Sequence, residues 1–235
     1  MNRRLTSKYL VLVFLFLVSI DSSAEESICY GKVNSGRLEN GVQLPDHGKN
    51  YSAYSELGVS SGRTYVHSKI RDVVVKTYKE LESIEPDKVY VYGETGWKDG
   101  GRIRPHRTHQ NGLSIDFMVP VVDKAGHSIK LPTSILNKYG YGIDFDEEGQ
   151  SGDLQIDFEA MASHLMTLAQ IAKQENVEIS LVIFDGSLKP ALFKSKNGAS
   201  LQDMLPWMKG KAWIKHDQHY HIDFSVPCRP MTVKN

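Results

Sequence analysis

Five of the nine histidines fall in two short windows, His106 and His109 in PHRTHQNGLSID and His216, His219 and His221 in KHDQHYHIDF. Imidazole nitrogens and carboxylate oxygens are ligands that zinc takes, and a hydrolytic zinc site holds three protein ligands and leaves its fourth position to water. The first window offers His109 and, further on, Asp116; the second offers His221. If the strands that carry them are neighbours in one sheet, His109, Asp116 and His221 converge on one ion, which makes Zn2+ the expected cofactor. His219 lies two residues from His221 on the same strand face, about 6.5 Å along an extended chain. That is near enough to take a proton without being a ligand. Zinc lowers the pKa of its water from about 15.7 towards 7, so a histidine of ordinary basicity is a competent general base beside it. A lone His-X-His is a weak signal; the two windows together favour a metal site.

Three protein ligands already fill an open site, so His106 and His216 are expected as pocket residues around it. Asp223 either orients a ligand histidine or forms a solvated salt bridge. Arg102, Arg104 and Arg107 flank His106. They either pair with the carboxylates of a peptide substrate through bidentate hydrogen bonds or make up a solvated basic loop. Trp97, Tyr141, Trp207 and Trp213 either wall a groove or pack in the core.

The elements that must position these residues can be read from periodicity. Apolar residues recur at three and four from Tyr65 to Ser83 and again from Phe158 to Glu175, predicting two amphipathic helices, the second capped by Asp157. Strands are expected at Val89–Tyr92, Leu113–Val119, Val177–Phe184 and His219–Phe224, with short helices at Leu188–Phe193 and Ala199–Trp207. In the last strand, alternation puts His219, His221 and Asp223 on one face and Tyr220, Ile222 and Phe224 on the other. Glycines and Pro105 make residues 93–105 a loop feeding the Leu113 strand. Tyr30–Leu57 reads as an irregular N-terminal wrap, and Lys124–Gly152 as a polar surface insertion. The expectation is one α+β domain: a small, mainly antiparallel sheet carrying the zinc site, flanked by helices.

At 40% hydrophobic and 24% charged residues the composition is that of an ordinary globular protein, and 28 Lys and Arg against 28 Asp and Glu leave no basic footprint for a nucleic-acid partner. Arg3, Arg4 and Lys8 precede an apolar run from Tyr9 to Ile20, followed by Ser22-Ser23-Ala24. This is the pattern of a secretory signal peptide over residues 1–24, with an apolar stretch shorter than the ~20 residues of a membrane span. The remaining residues 25–235 are expected to form the catalytic domain, periplasmic or secreted. The only cysteines are Cys29 and Cys228. An oxidising compartment favours a disulfide between them, the alternative being a lipidated Cys29.

H-Q-x-G-L-x-x-D at His109 to Asp116, then H-x-x-H-x-H at His216 to His221 with a Pro-Cys shortly after, resembles the penicillin-insensitive murein endopeptidases. These belong to a larger group with the lysostaphin-type enzymes, the D-Ala-D-Ala peptidases and the hedgehog signalling domain. The resemblance implies a small antiparallel sheet with one zinc on His109, Asp116 and His221, His219 as the catalytic histidine, and His106 and His216 as further active-site histidines. It also implies a periplasmic hydrolase acting on D-alanyl to diaminopimelate cross-links, its partner being the stem peptides of peptidoglycan. The chain departs from the family pattern in Ser114, where the motif usually carries an acidic residue, in having two cysteines, and in its Lys124–Gly152 segment. The alternatives are a D,D-carboxypeptidase or dipeptidase of the same group and a non-catalytic zinc-containing cell-wall binding module.

Overall fold

The computed structural model describes residues 25–210, 212 and 214–231; the expected signal peptide and Trp213 lie outside the described residues. The expected α+β architecture is present. Its centre is a five-stranded sheet in the order Glu178–Ile183, His219–Ser225, Ser114–Met118, Tyr90–Tyr92, Tyr51–Ala53. The strands run antiparallel except the last two, whose parallel pairing is bridged by a connection containing the helix Ser68–Ile84. Parallel neighbours need such a crossover because the chain must return to the same end of the sheet.

The apolar stripe of that helix, Ile70, Val73, Val74, Tyr78 and Leu81, is buried. So is the stripe of Phe158–Gln174, which the side chain of Asp157 caps by accepting a hydrogen bond from the Ala160 amide. The two helices pack together against one sheet face, where His164 takes the Tyr220 hydroxyl at 2.8 Å and stacks obliquely on Phe117. Alternation therefore sends Phe117, Tyr220, Ile222 and Phe224 into the core and leaves Asp116, His219, His221 and Asp223 for the opposite face. Both faces of this strand are covered, since His219 to Phe224 are all buried.

Three sequence expectations are corrected by the fold. The first helix begins at Ser68 rather than Tyr65, because Tyr65–Val66 pairs with Val42–Gln43 and His67 caps the helix. The N-terminal wrap is an ordered hairpin, Ile28–Lys32 against Ser35–Glu39, burying Cys29, Tyr30 and Leu38. Its period-two signal is short and interrupted by glycine, which hides it in the sequence. The Lys124–Gly152 segment is not merely a surface insertion: it buries Leu131 and Phe145 and carries Tyr141 to the face that holds the histidines. Cys29 and Cys228 form a disulfide that joins this hairpin to the segment after the last strand.

Candidate metal centre

The ladder between Ser114–Met118 and His219–Ser225 sets His221 opposite Asp116, His219 opposite Met118 and Asp223 opposite Ser114. This register makes the two motif windows adjacent. His109 arrives from the loop before the first of these strands with φ +66, a left-handed backbone that few side-chain-bearing residues adopt. Its amide donates to Ser114 Oγ at 3.2 Å, which ties the loop to the strand it precedes.

Three ligand atoms meet at one point. His109 Nε2 lies 3.1 Å from His221 Nδ1 and 3.3 Å from Asp116 Oδ1, and His221 Nδ1 lies 2.8 Å from the same oxygen. The outer nitrogens are also engaged: His109 Nδ1 donates to the Thr95 carbonyl at 2.8 Å, and His221 Nε2 to Asp223 Oδ1 at 2.8 Å. A carbonyl can only accept, so neutral His109 carries its proton on Nδ1 and turns a lone pair inward from Nε2. With Nε2–H of His221 given to Asp223, Nδ1 does the same. Two nitrogen lone pairs and a carboxylate oxygen then crowd one buried point, and only a proton or a metal ion can satisfy all three. This donor set, with its outer hydrogen bonds, fits zinc. His106, His109 and Asp116 form a looser triplet, with ligand atoms within 4.8 Å of one another. His106 is the weaker member, since its Nε2 is on Glu94 Oε2 at 2.6 Å and its Nδ1 is 3.7 Å from Asp116 Oδ2.

The charges follow from these contacts. Burial opposes a charge on His221, but Asp223 and Asp116 on its two nitrogens outweigh it and push it up to about 10. Asp116 is held well below the usual carboxylate range by His109, His219 and His106, against the cost of burial. Burial lowers His109 and pushes His219 down to about 3. His106 is raised: burial works against its charge, and Asp116 and Glu94 prevail.

A family model described as penicillin-insensitive murein endopeptidase matches residues 29–234. The chain belongs to that family. A search of curated proteins finds no match. The chain presents a cavity of about 440 Å³ over the histidine face, lined among others by His106, Arg107, Asp116, His216, His219 and His221. Of the three arginines, only Arg107 lines this cavity; Arg102 and Arg104 are exposed and do not line it. Trp97 and Trp207 lie away from it too, Trp97 under Arg63 and Trp207 against Phe193, whereas Tyr141 is in its wall. Asp223 is buried, which removes the solvated salt bridge as its role. Its carboxylate also accepts from Ser114 Oγ at 2.5 Å. An acidic residue at position 114 would face Asp223 directly across the ladder, so the departure from the family motif at Ser114 is matched by the carboxylate opposite.

Glu94 is absent from the sequence reading, and Tyr141, named there only as a groove or packing aromatic, turns out to bond the carboxylate at the centre of the site. Glu94 is buried just after the Tyr90–Tyr92 strand and is held by Arg63 Nε at 2.6 Å and Nη2 at 2.9 Å, by the Tyr54 hydroxyl at 2.9 Å and by His106. Burial would raise this carboxyl, but the hydrogen bonds from His106 and Arg63 hold it at about 2. Tyr141 donates to Asp116 Oδ2 at 2.9 Å. The available signals were an acid directly following a strand and Gly93, and a Tyr-Gly-Tyr-Gly run inside an otherwise polar segment.

Proposed function

We propose that the chain is a zinc-dependent endopeptidase that hydrolyses the peptide cross-links of peptidoglycan, of the D-alanyl to diaminopimelate type, in the periplasm or outside the cell. The observation that carries this reading is the convergence of His109 Nε2, Asp116 Oδ1 and His221 Nδ1 within 2.8 to 3.3 Å of one another in a chain of this family. These three residues would hold the metal, which when bound supplies a Lewis acid for the scissile carbonyl and an acidified water. Asp223 and the Thr95 carbonyl orient the two ligand rings.

His219 is the proton acceptor in this reading. Its Nε2 is 3.8 Å from Asp116 Oδ2, its Nδ1 has no hydrogen-bond partner, and burial keeps it neutral. His106, backed by Glu94, favours the charged form and suits the stabilisation of negative charge developing on the carbonyl oxygen. Burial leaves His219 a weaker base than the ordinary histidine expected from the sequence. Its assignment as proton acceptor therefore rests on its place beside Asp116 and its open Nδ1 and not on its basicity, while His106 supplies the cation. His216, its Nδ1 on the Ile214 carbonyl at 2.7 Å, and Arg107 border the space where a stem peptide would lie. Among the described residues no helix is long and apolar enough to cross a membrane.

Defined cross-linked muropeptides incubated with the zinc-loaded protein should yield monomers that keep their terminal D-Ala, read by mass analysis. Release of D-Ala alone would make it a D,D-carboxypeptidase, and zinc binding with no clearing of purified sacculi in a zymogram would leave a binding module. His109→Ala and His221→Ala should lose metal and turnover together. His219→Ala should keep zinc and lose at least about a hundredfold in rate.

A further inference from the structure

We propose that Tyr141 is a positioning residue that restricts Asp116 to binding the metal through a single oxygen. The inference rests on the reading of His109, Asp116 and His221 as the zinc ligands. The Tyr141 hydroxyl accepts from the Glu94 backbone N–H at 2.9 Å and lies 2.9 Å from Asp116 Oδ2. An N–H can only donate, so the phenol proton is left for Asp116. Oδ2 is thereby turned toward the phenol, while Oδ1 faces the two histidine nitrogens. To turn Oδ2 toward the ion as well, Asp116 would have to strain or share the phenol bond, at the cost of a poorly satisfied buried hydroxyl.

The rest of the structure holds the phenol in place. The Tyr141 carbonyl takes Gln218 Nε2 at 3.0 Å, and its ring lies edge-on to Tyr54 and His219, at centroid distances of 6.0 and 5.0 Å. Room for the hydroxyl is made by Gly93: a Cβ there would lie 2.5 Å from the Tyr141 hydroxyl oxygen and 3.0 Å from Asp116 Cβ. With one oxygen from Asp116 the protein supplies three donor atoms and the fourth position stays open, as a hydrolytic site requires. A second oxygen from Asp116 would compete for that position.

The test is Tyr141→Phe, purified metal-free and titrated with cobalt(II) and, separately, with zinc against a chromophoric chelator. The wild type should give the intense visible band of four-coordinate cobalt. Tyr141→Phe should bind one cobalt with a band weakened severalfold, the mark of a higher coordination number, and its zinc affinity should fall by about tenfold or more. Gly93→Ala, whose Cβ would press on both the phenol oxygen and Asp116, should change both as well, and unchanged values there count against the role of Tyr141 if Tyr141→Phe does not fold. A wild-type band and affinity in both variants overturn the role of Tyr141 alone. A wild type that takes up no stoichiometric cobalt or zinc overturns the metal reading, and this inference with it.

Discussion

Asp223 shows how much one carboxylate does when it is buried between two partners. It accepts from His221 Nε2 and from Ser114 Oγ, and so selects which nitrogen of His221 turns inward. Asp223→Asn keeps the shape but removes the charge that favours the Nε2–H tautomer, and zinc affinity should fall roughly 10- to 100-fold in chelator competition. The same contacts set the proton balance of metal binding. His221 is pushed up to about 10, above the ordinary histidine value, so at pH 6 the metal-free protein carries a proton there. That proton helps to hold the metal-free fold together below the ordinary histidine value, and its contribution is lost as pH rises through about 10. A zinc ion held on Nδ1 would have to displace it. Calorimetric titrations at pH 6 in buffers of different ionisation enthalpy should show close to one proton released, and apparent affinity should fall about tenfold for each unit of acidification. No proton release would mean that His221 is already neutral in the metal-free protein or is not a ligand.

At the scale of elements, the site depends on a loop and a ladder meeting correctly. The loop is shaped by Gly112, whose φ is +76 and whose carbonyl accepts from the His67 amide at 2.9 Å. A Cβ there would lie 2.7 Å from the His67 nitrogen, so no side chain fits. Gly112→Ala combines backbone strain with a backbone clash and should cost more than about 1 kcal/mol, lowering Tm by at least about 2 °C. Zinc affinity should drop with it, because the same turn delivers His109. The ladder contributes differently. Its far face is packed by Phe117, Tyr220 and His164, so the histidine-bearing strands rest on a core and not on solvent.

For the molecule as a whole, the first and last described segments are fastened to each other beside the motif windows. Cys29 bonds to Cys228, Arg229 exchanges backbone hydrogen bonds with Cys29 and Gly31, and Asn111 of the first motif reaches the Cys228 sulfur at 3.8 Å. With a separation of 199 residues, the chain-entropy model credits this bridge with roughly 5 kcal/mol. Cys228→Ser should therefore lower Tm by about 10 °C or more, given the 2 to 4 °C per kcal/mol typical of this size. The variant should still bind one zinc at low temperature, since the bridge contributes no ligand. An unchanged Tm in non-reducing buffer would show that the bridge adds nothing to stability.

Much of this was legible in the amino-acid sequence, and for physical reasons. The two long helices announced themselves because a buried stripe repeats with the helical period, and the strand His219–Ser225 because alternation separates its histidines from Tyr220, Ile222 and Phe224. Residue chemistry nominated His109, Asp116 and His221 together. Sequence alone did not determine that Asp116 and His221 sit opposite each other, since register depends on pairing between strands more than a hundred residues apart. Nor did it disclose Glu94 or the bond from Tyr141 to Asp116, which exist only where a loop, a strand end and a supposed insertion meet over one carboxylate. Local pattern reports which face of an element is apolar; which side chains share a buried point is decided by long-range packing, and there the tertiary structure alone speaks.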